Sequence, residues 1–211
     1  MCLSKIDSMY VTHAPKRICQ GDILRDFVGI DWGIEDTSDK YKISALTLPY
    51  IIVMTQDCDL ELDFNNRSEP DSKTHDKYLQ TILVCPAYNA TEFKEGEHLK
   101  SKELVMNKWG TDLYNQIKNQ NHARFYFLEQ NQAMQVPQLI VDFKHYYTIP
   151  RDVLYKMYAK CYLATFNKLF RESLSQRFSN YLSRIGLPEL ASTSVASPPQ
   201  GFDKSECDKE Q

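Results

Sequence analysis

Apolar and polar positions alternate in short blocks over most of the chain and change to helical spacing near its end. Residues 20–30, QGDILRDFVGI, open on a Gly-Asp turn and set Ile23, Leu24, Phe27 and Ile30 among polar neighbours, which predicts a first strand. Residues 33–42 are polar and turn-rich and read as a loop. Residues 43–55 predict a second strand, interrupted or restarted at Pro49. After a polar loop at 65–77, TILVCPAY (81–88) predicts a third strand, apolar on both sides and ending at Pro86. Residues 91–121 read as helical and charged, with Leu99, Leu104, Trp109, Leu113 and Ile117 inward. ARFYFLEQ (123–130) and PQLIVDFKHYYTI (137–149) then form a hairpin across the turn QNQAMQ.

From Pro150 to Ile185, Leu154, Tyr158, Tyr162, Phe166, Phe170, Leu174, Phe178 and Tyr181 recur at helical spacing. Pro150 and Asp152 suit a first turn, and Gly186 with Pro188 is a stop signal. A helix this long predicts a break near Ser173 and Ser175. The remaining residues have the composition of a disordered tail.

Composition narrows the class without naming an activity. At 211 residues, 42% hydrophobic and 25% charged, the chain has the make-up of an ordinary soluble domain. Its net charge of -3 announces no global basic field for nucleic acid. The start, MCLSKIDSMY, has no apolar run like that of a signal peptide, and no stretch approaches a membrane span. Six cysteines without a CxxC pair are the usage of reduced thiols, so a cytoplasmic protein without cofactor or membrane association is expected.

Chemistry concentrates at a few places. In YIIVMTQDCDLELD (50–63) an apolar run meets Asp57, Asp59, Glu61 and Asp63 at alternate positions. On a strand these four share one face, with Cys58, Leu60 and Leu62 on the other. They read either as a platform for a hard divalent cation or as the solvated face of a strand leaving the core. A calcium loop is excluded, because Leu62 and Ser68 stand where glycine and glutamate are needed. Cys58 is a candidate nucleophile with His122 as base and Asp142 as orienter, or else a plain thiol. His122 and Arg124 precede Phe125, Tyr126 and Phe127, a mix that can clamp single-stranded nucleic acid or simply pack. The terminal segment carries seven Lys or Arg side chains against Asp152 and Glu172, making Lys160, Lys168 and Arg171 candidates for phosphate contact.

Gly21-Asp22-Ile23, Leu48-Pro49-Tyr50-Ile51-Ile52-Val53, Ile82-Leu83-Val84-Cys85-Pro86, Ile140-Val141-Asp142-Phe143 and Tyr147-Thr148-Ile149 stand in an order that resembles the MazF/PemK toxin family. Members of that family are small SH3-like β-barrels, the best known being endoribonucleases paired with antitoxins. The resemblance implies an α+β chain: a small SH3-like β-barrel over 20–150 with a helical insert at about 91–121. An N-terminal segment (1–19), a long C-terminal amphipathic helix (151–187) and a disordered tail (188–211) complete it. Two departures touch the family's catalytic pair: Leu48 stands where an arginine is usual, and Ala87 and Tyr88 follow Pro86 where a Ser or Thr is usual. If RNA cleavage survives, Arg25 or Arg124 must stabilise the phosphorane charge instead. The resemblance thus implies a toxin-antitoxin or defence module that binds RNA, DNA, an antitoxin-like protein or a second copy of itself. The alternative is a hydrolase or nuclease using a metal at Asp57, Asp59 and Glu61, or Cys58 as nucleophile.

Overall fold

The computed structural model describes residues 8–35, 38–67 and 74–184. Its fold is α+β: an antiparallel sheet curled strongly into a half-barrel, with five α-helices around it. The strands are β1 (Tyr10–Val11), β2 (Asp22–Glu35), β3 (Ser38–Val53), β4 (Thr81–Asn89), β5 (Phe125–Leu128), β6 (Leu139–Asp142), β7 (Tyr147–Pro150) and β8 (Tyr162–Phe166). They run in the order β1-β8-β2-β3-β4-β6-β5, and β7 also pairs with β4. The helices are α1 (Asp57–Arg67), α2 (Ala90–Glu95), α3 (Thr111–Lys118), α4 (Arg151–Cys161) and α5 (Lys168–Leu182). None of the described helices is long and apolar enough to cross a membrane.

The apolar runs of the sequence are strands buried on both faces. Ile23, Ile52, Cys85 and Val141 face one core, closed by Leu174 and Phe178 of α5. Their neighbours Leu24, Ile51 and Val84 face a second core, closed by Leu60 of α1 and by Leu154 and Tyr158 of α4. A third core packs Phe93, Leu99 and Ile117 of the insert on Tyr88, Phe125 and Ile140 of the sheet. Each fully buried aliphatic side chain contributes about 1.5–3 kcal/mol, so these layers carry the fold.

Several expectations are corrected. The acidic segment after Val53 is helix α1, not a strand. Its inward residues, Asp57, Leu60, Asp63 and Arg67, fall at helical spacing, while Asp59 and Glu61 are exposed. Asp63, only 1% exposed, accepts from Arg67 Nε (2.7 Å), Arg151 Nε (2.8 Å) and Leu79 N (2.9 Å), which ties α1 to the start of α4. Pro49 does not restart β3: the ladder skips its pair with Asp26, which has φ 53° and faces a residue with no N–H to donate, and resumes on both sides. Pro86 likewise lies inside β4, opposite Ile51. The expected loop at 33–42 is instead the far end of the β2–β3 hairpin, in register as far as Ile34 opposite Tyr41. Gly33, Tyr41 and Lys42 there are exposed, which fits a loop-like sequence. The insert breaks into α2, a short 3-10 turn (Lys100–Lys102) and α3. Gly96 stops α2 at φ 75°, where a Cβ would meet the Met106 carbonyl oxygen.

The terminal helix is two helices, and the break is not at Ser173 and Ser175. Residues 162–166 form β8, which fills the sheet between β1 and β2. Its β-branched and aromatic residues meet the sheet at an otherwise open edge, and that pairing outweighs their helical spacing. The expected tail at 188–211 lies outside the described residues.

Candidate functional site

Besides Asp63, which ties α1 to α4, two buried carboxylates organise polar groups among the described residues. The first is Asp142, the last residue of β6 and 1% exposed. Phe125 pairs with Asp142 across the β5–β6 hairpin, which brings Arg124 alongside it. Arg124 donates to both carboxylate oxygens, Nε at 2.7 Å and Nη2 at 2.6 Å. A 3-10 turn (Phe143–His145) follows, capped by the same carboxylate through Lys144 N at 3.0 Å. The turn returns His145, whose Nδ1 lies 2.9 Å from Asp142 Oδ2. Burial pushes the Asp142 carboxyl up, but Arg124, the Lys144 N–H and His145 outweigh it and hold it below the usual carboxylate range.

Around this anchor lies a cleft of about 230 Å³, lined by Tyr88, Lys102, Arg124, Lys144, His145 and Tyr147 among others. β7 places Tyr147 opposite Val84 of β4, and Lys102 Nζ sits 5.8 Å from the Tyr147 ring centre. One buried carboxylate therefore stands behind three permanent cations and a histidine. The cleft has the charge to hold an anion.

Of the residues singled out in the sequence, His122, Arg124 and Asp142 come together. His122 Nδ1 accepts from Arg124 N at 3.3 Å, and its ring stacks on Phe125 at 4.8 Å. Burial and then Arg124, Arg177 and Arg184 lower its pKa. Arg177 of α5 holds this corner by donating to the carbonyls of Gln120, His122 (2.7 Å) and Phe125 (3.1 Å). Cys58 does not join them. It is exposed on α1, its sulfur facing Gln56 Oε1 (3.7 Å) and Asp59 Oδ1 (3.8 Å), whereas His122 precedes β5 and Asp142 ends β6.

Asp57 meets cations of the protein itself: Arg17 at 3.3 Å and Arg171 at 3.5 Å, with the Gln20 N–H at 3.1 Å. With Asp63 likewise paired and Asp59 and Glu61 turned outward, the expected carboxylate platform is not assembled. Arg25 is exposed on β2, 3.5 Å from Gln135 Oε1. Lys160 ends α4 while Lys168 opens α5, so these and Arg171 do not share one helical face.

The second carboxylate, Asp22, opens β2 and is fully buried. It accepts from Cys19 N (2.7 Å), Tyr158 Oη (2.6 Å) and Thr165 Oγ1 (2.6 Å), and His13 Nε2 lies 3.0 Å away. Gly21, at φ 84°, makes the tight entry, since a Cβ there would crowd Phe166. The hydrogen bond to Asp22 raises the His13 pKa, and burial followed by Asp22 pushes the Cys19 thiol up to about 11. Burial and the same carboxylate also raise the Tyr158 phenol.

Sequence reading missed Lys102, Lys144 and His145 in the first site and the whole of the second. The available signal was Asp142-Phe-Lys-His145, in which an aspartate caps a turn and brings a histidine back three residues later. No protein-family model matches the chain, and no curated protein matches it in sequence.

Proposed function

We propose that the chain is a MazF/PemK-like module with an SH3-type half-barrel, binding single-stranded nucleic acid at the Arg124–Asp142–His145 cleft in a toxin-antitoxin or defence setting. The observation that carries this reading is the convergence of Lys102, Lys144, Arg124 and His145 with Tyr147 on one cleft of about 230 Å³. Cations that track phosphates beside an aromatic ring are the recurring recipe for single strands. The volume is below the roughly 300–1,000 Å³ of small-molecule pockets, which suits one phosphate or base of a strand running over the surface.

Binding is favoured over cleavage. Ala87 occupies the place of the family's hydroxyl and is fully buried, and Arg124 has its guanidinium engaged by Asp142. A protein partner is the second reading. Val28, Ile30, Tyr41 and Ile43 on the far end of the β2–β3 hairpin are 48–74% exposed, an apolar patch of the kind that marks interaction sites.

The test is fluorescence anisotropy with labelled single-stranded RNA and DNA across a salt series. Affinity should fall steeply with salt, and Lys102→Gln with Lys144→Gln should flatten the slope by about two units, roughly one per phosphate contact. Absence of binding at low salt, or a slope indifferent to these changes, overturns the reading.

A further inference from the structure

We propose that His13, Cys19 and Asp22 form a site for a divalent cation of the zinc type. One nitrogen, one sulfur and one carboxylate oxygen, one from each residue, all lie within 4.8 Å of one another. The donors come from a single stretch, H-x5-C-x2-D, which runs from the end of β1 around to the first residue of β2. Imidazole, thiolate and one carboxylate are a zinc donor set; calcium and magnesium want oxygen ligands throughout.

The surroundings orient two of the three donors, His13 and Asp22, while the Cys19 thiol faces the Arg17 carbonyl at 3.7 Å. His13 Nδ1 lies 2.9 Å from the Ala14 carbonyl, which directs Nε2 at the cluster, where a metal would displace any Nε2 proton to solvent. The His13 ring packs on Tyr162 at 4.9 Å, and the Tyr162 hydroxyl accepts from His13 N at 3.1 Å. Asp22 is oriented by Tyr158 and Thr165, and Thr165 Oγ1 in turn lies 2.8 Å from the Tyr162 hydroxyl. Such outer contacts, made before any metal arrives, are the usual accompaniment of metal ligands.

Charge and access agree with this. Among the described residues no Lys or Arg side chain bonds Asp22, and Arg17, two residues before Cys19, is engaged by Asp57 at 3.3 and 3.4 Å. Asp22 is fully buried, whereas the His13 side chain is 29% exposed and Cys19 half-buried, so a cation enters from the His13 side. Three protein donors leave a fourth tetrahedral position for water. As the metal–sulfur bond forms, the thiol proton leaves to solvent, and no electron transfer is involved. This site stands independently of the nucleic-acid cleft.

The test titrates the full chain with Co²⁺ as a spectroscopic probe and then with Zn²⁺ against a chromophoric chelator. One Co²⁺ per chain should bind, with tetrahedral visible bands and a thiolate-to-metal band in the near ultraviolet. Cys19→Ser should abolish the thiolate band, and Cys19→Ser and His13→Gln should each weaken Zn²⁺ at least about tenfold. Both residues are partly exposed, and circular dichroism of the variants confirms that they fold. Zn²⁺ should raise the melting temperature of the unaltered chain and not that of Cys19→Ser. The proposal is overturned by Zn²⁺ affinity unchanged in both variants, by a Co²⁺ spectrum without a thiolate band, or by a band lost in Cys58→Ser or in Asp59→Asn with Glu61→Gln.

Discussion

Asp22 and Asp142 are the same side chain, equally buried, in the same sheet, yet they prepare opposite surroundings. Asp22 is bonded by one backbone N–H and two hydroxyls, with His13 at 3.0 Å. Among the described residues no arginine or lysine bonds it, which leaves room for the proposed cation. Asp142 is taken up by a bidentate arginine and a histidine. Its charge is spent on organising cations, and with Lys102 and Lys144 added the cleft outside is positive. What a buried carboxylate does is set by its donors.

The largest effect that would sharpen this contrast is on folding. Asp22→Asn keeps the shape but turns an acceptor-only group into one that must point an NH2 at existing donors. The Cys19 N–H is fixed by the backbone and cannot reorient. A loss of about 3–5 kcal/mol in urea unfolding is expected, the usual cost of breaking a buried charged network. Asp142→Asn should cost less, about 2–3 kcal/mol, because Arg124 is 24% exposed and can turn into solvent. Equal losses at the two positions would show that the identity of the donors does not matter, and the comparison would fail.

How much of this was legible in the sequence differs between the sheet and its sites. The apolar runs at 50–54 and 81–88 predict strands buried on both faces, and there they are, with cores on either side. The β5–β6 hairpin across QNQAMQ is also as expected, but the single strand expected over 137–149 is broken by a 3-10 turn into β6 and β7, and β7 pairs with β4. Helix α1 was hidden because its carboxylates alternate with period two, while the residues that turn inward recur with helical period. β8 was hidden for the converse reason: Tyr158, Tyr162 and Phe166 sit four apart, and only the open sheet edge decides that 162–166 is a strand. His122 and Arg124 stood out by their aromatic neighbours; Arg124 does bond Asp142, and His122 accepts from Arg124 N. The Asp22 cluster depends on Tyr158 and Thr165, more than 130 residues away, and no local spacing announces such a contact.

Acid should separate the two halves of the comparison by a smaller margin. The Asp142 pKa is held below its unfolded value, so its contribution is complete above the unfolded carboxylate pKa and is lost as pH falls through the folded one. The stability difference between the unaltered chain and Asp142→Asn should therefore be flat near neutrality and shrink on acidification below about pH 4. Chemical unfolding at a series of pH values measures it. A difference that stays constant down to the acid limit would mean that Arg124 and His145 do not favour the ionised form.

The smallest expected effect concerns the basic residues of the terminal segment, and it asks whether positive charge alone recruits phosphates. Lys160 and Lys168 lie on different helices with β8 between them, and Arg171 contacts Asp57 at 3.5 Å. They lack the anchored carboxylate and the neighbouring aromatic that the Asp142 cleft provides. Replacing all three with glutamine should cost under about 1 kcal/mol for Arg171, whose pair is partly solvated, and less for the two exposed lysines. The salt slope for single-stranded RNA should stay within error of the unaltered chain, while the Lys102 and Lys144 pair lowers it. If the terminal triple flattens the slope and the cleft pair does not, phosphates follow the helices rather than the buried carboxylate, and the assignment of the anion site moves to α4 and α5.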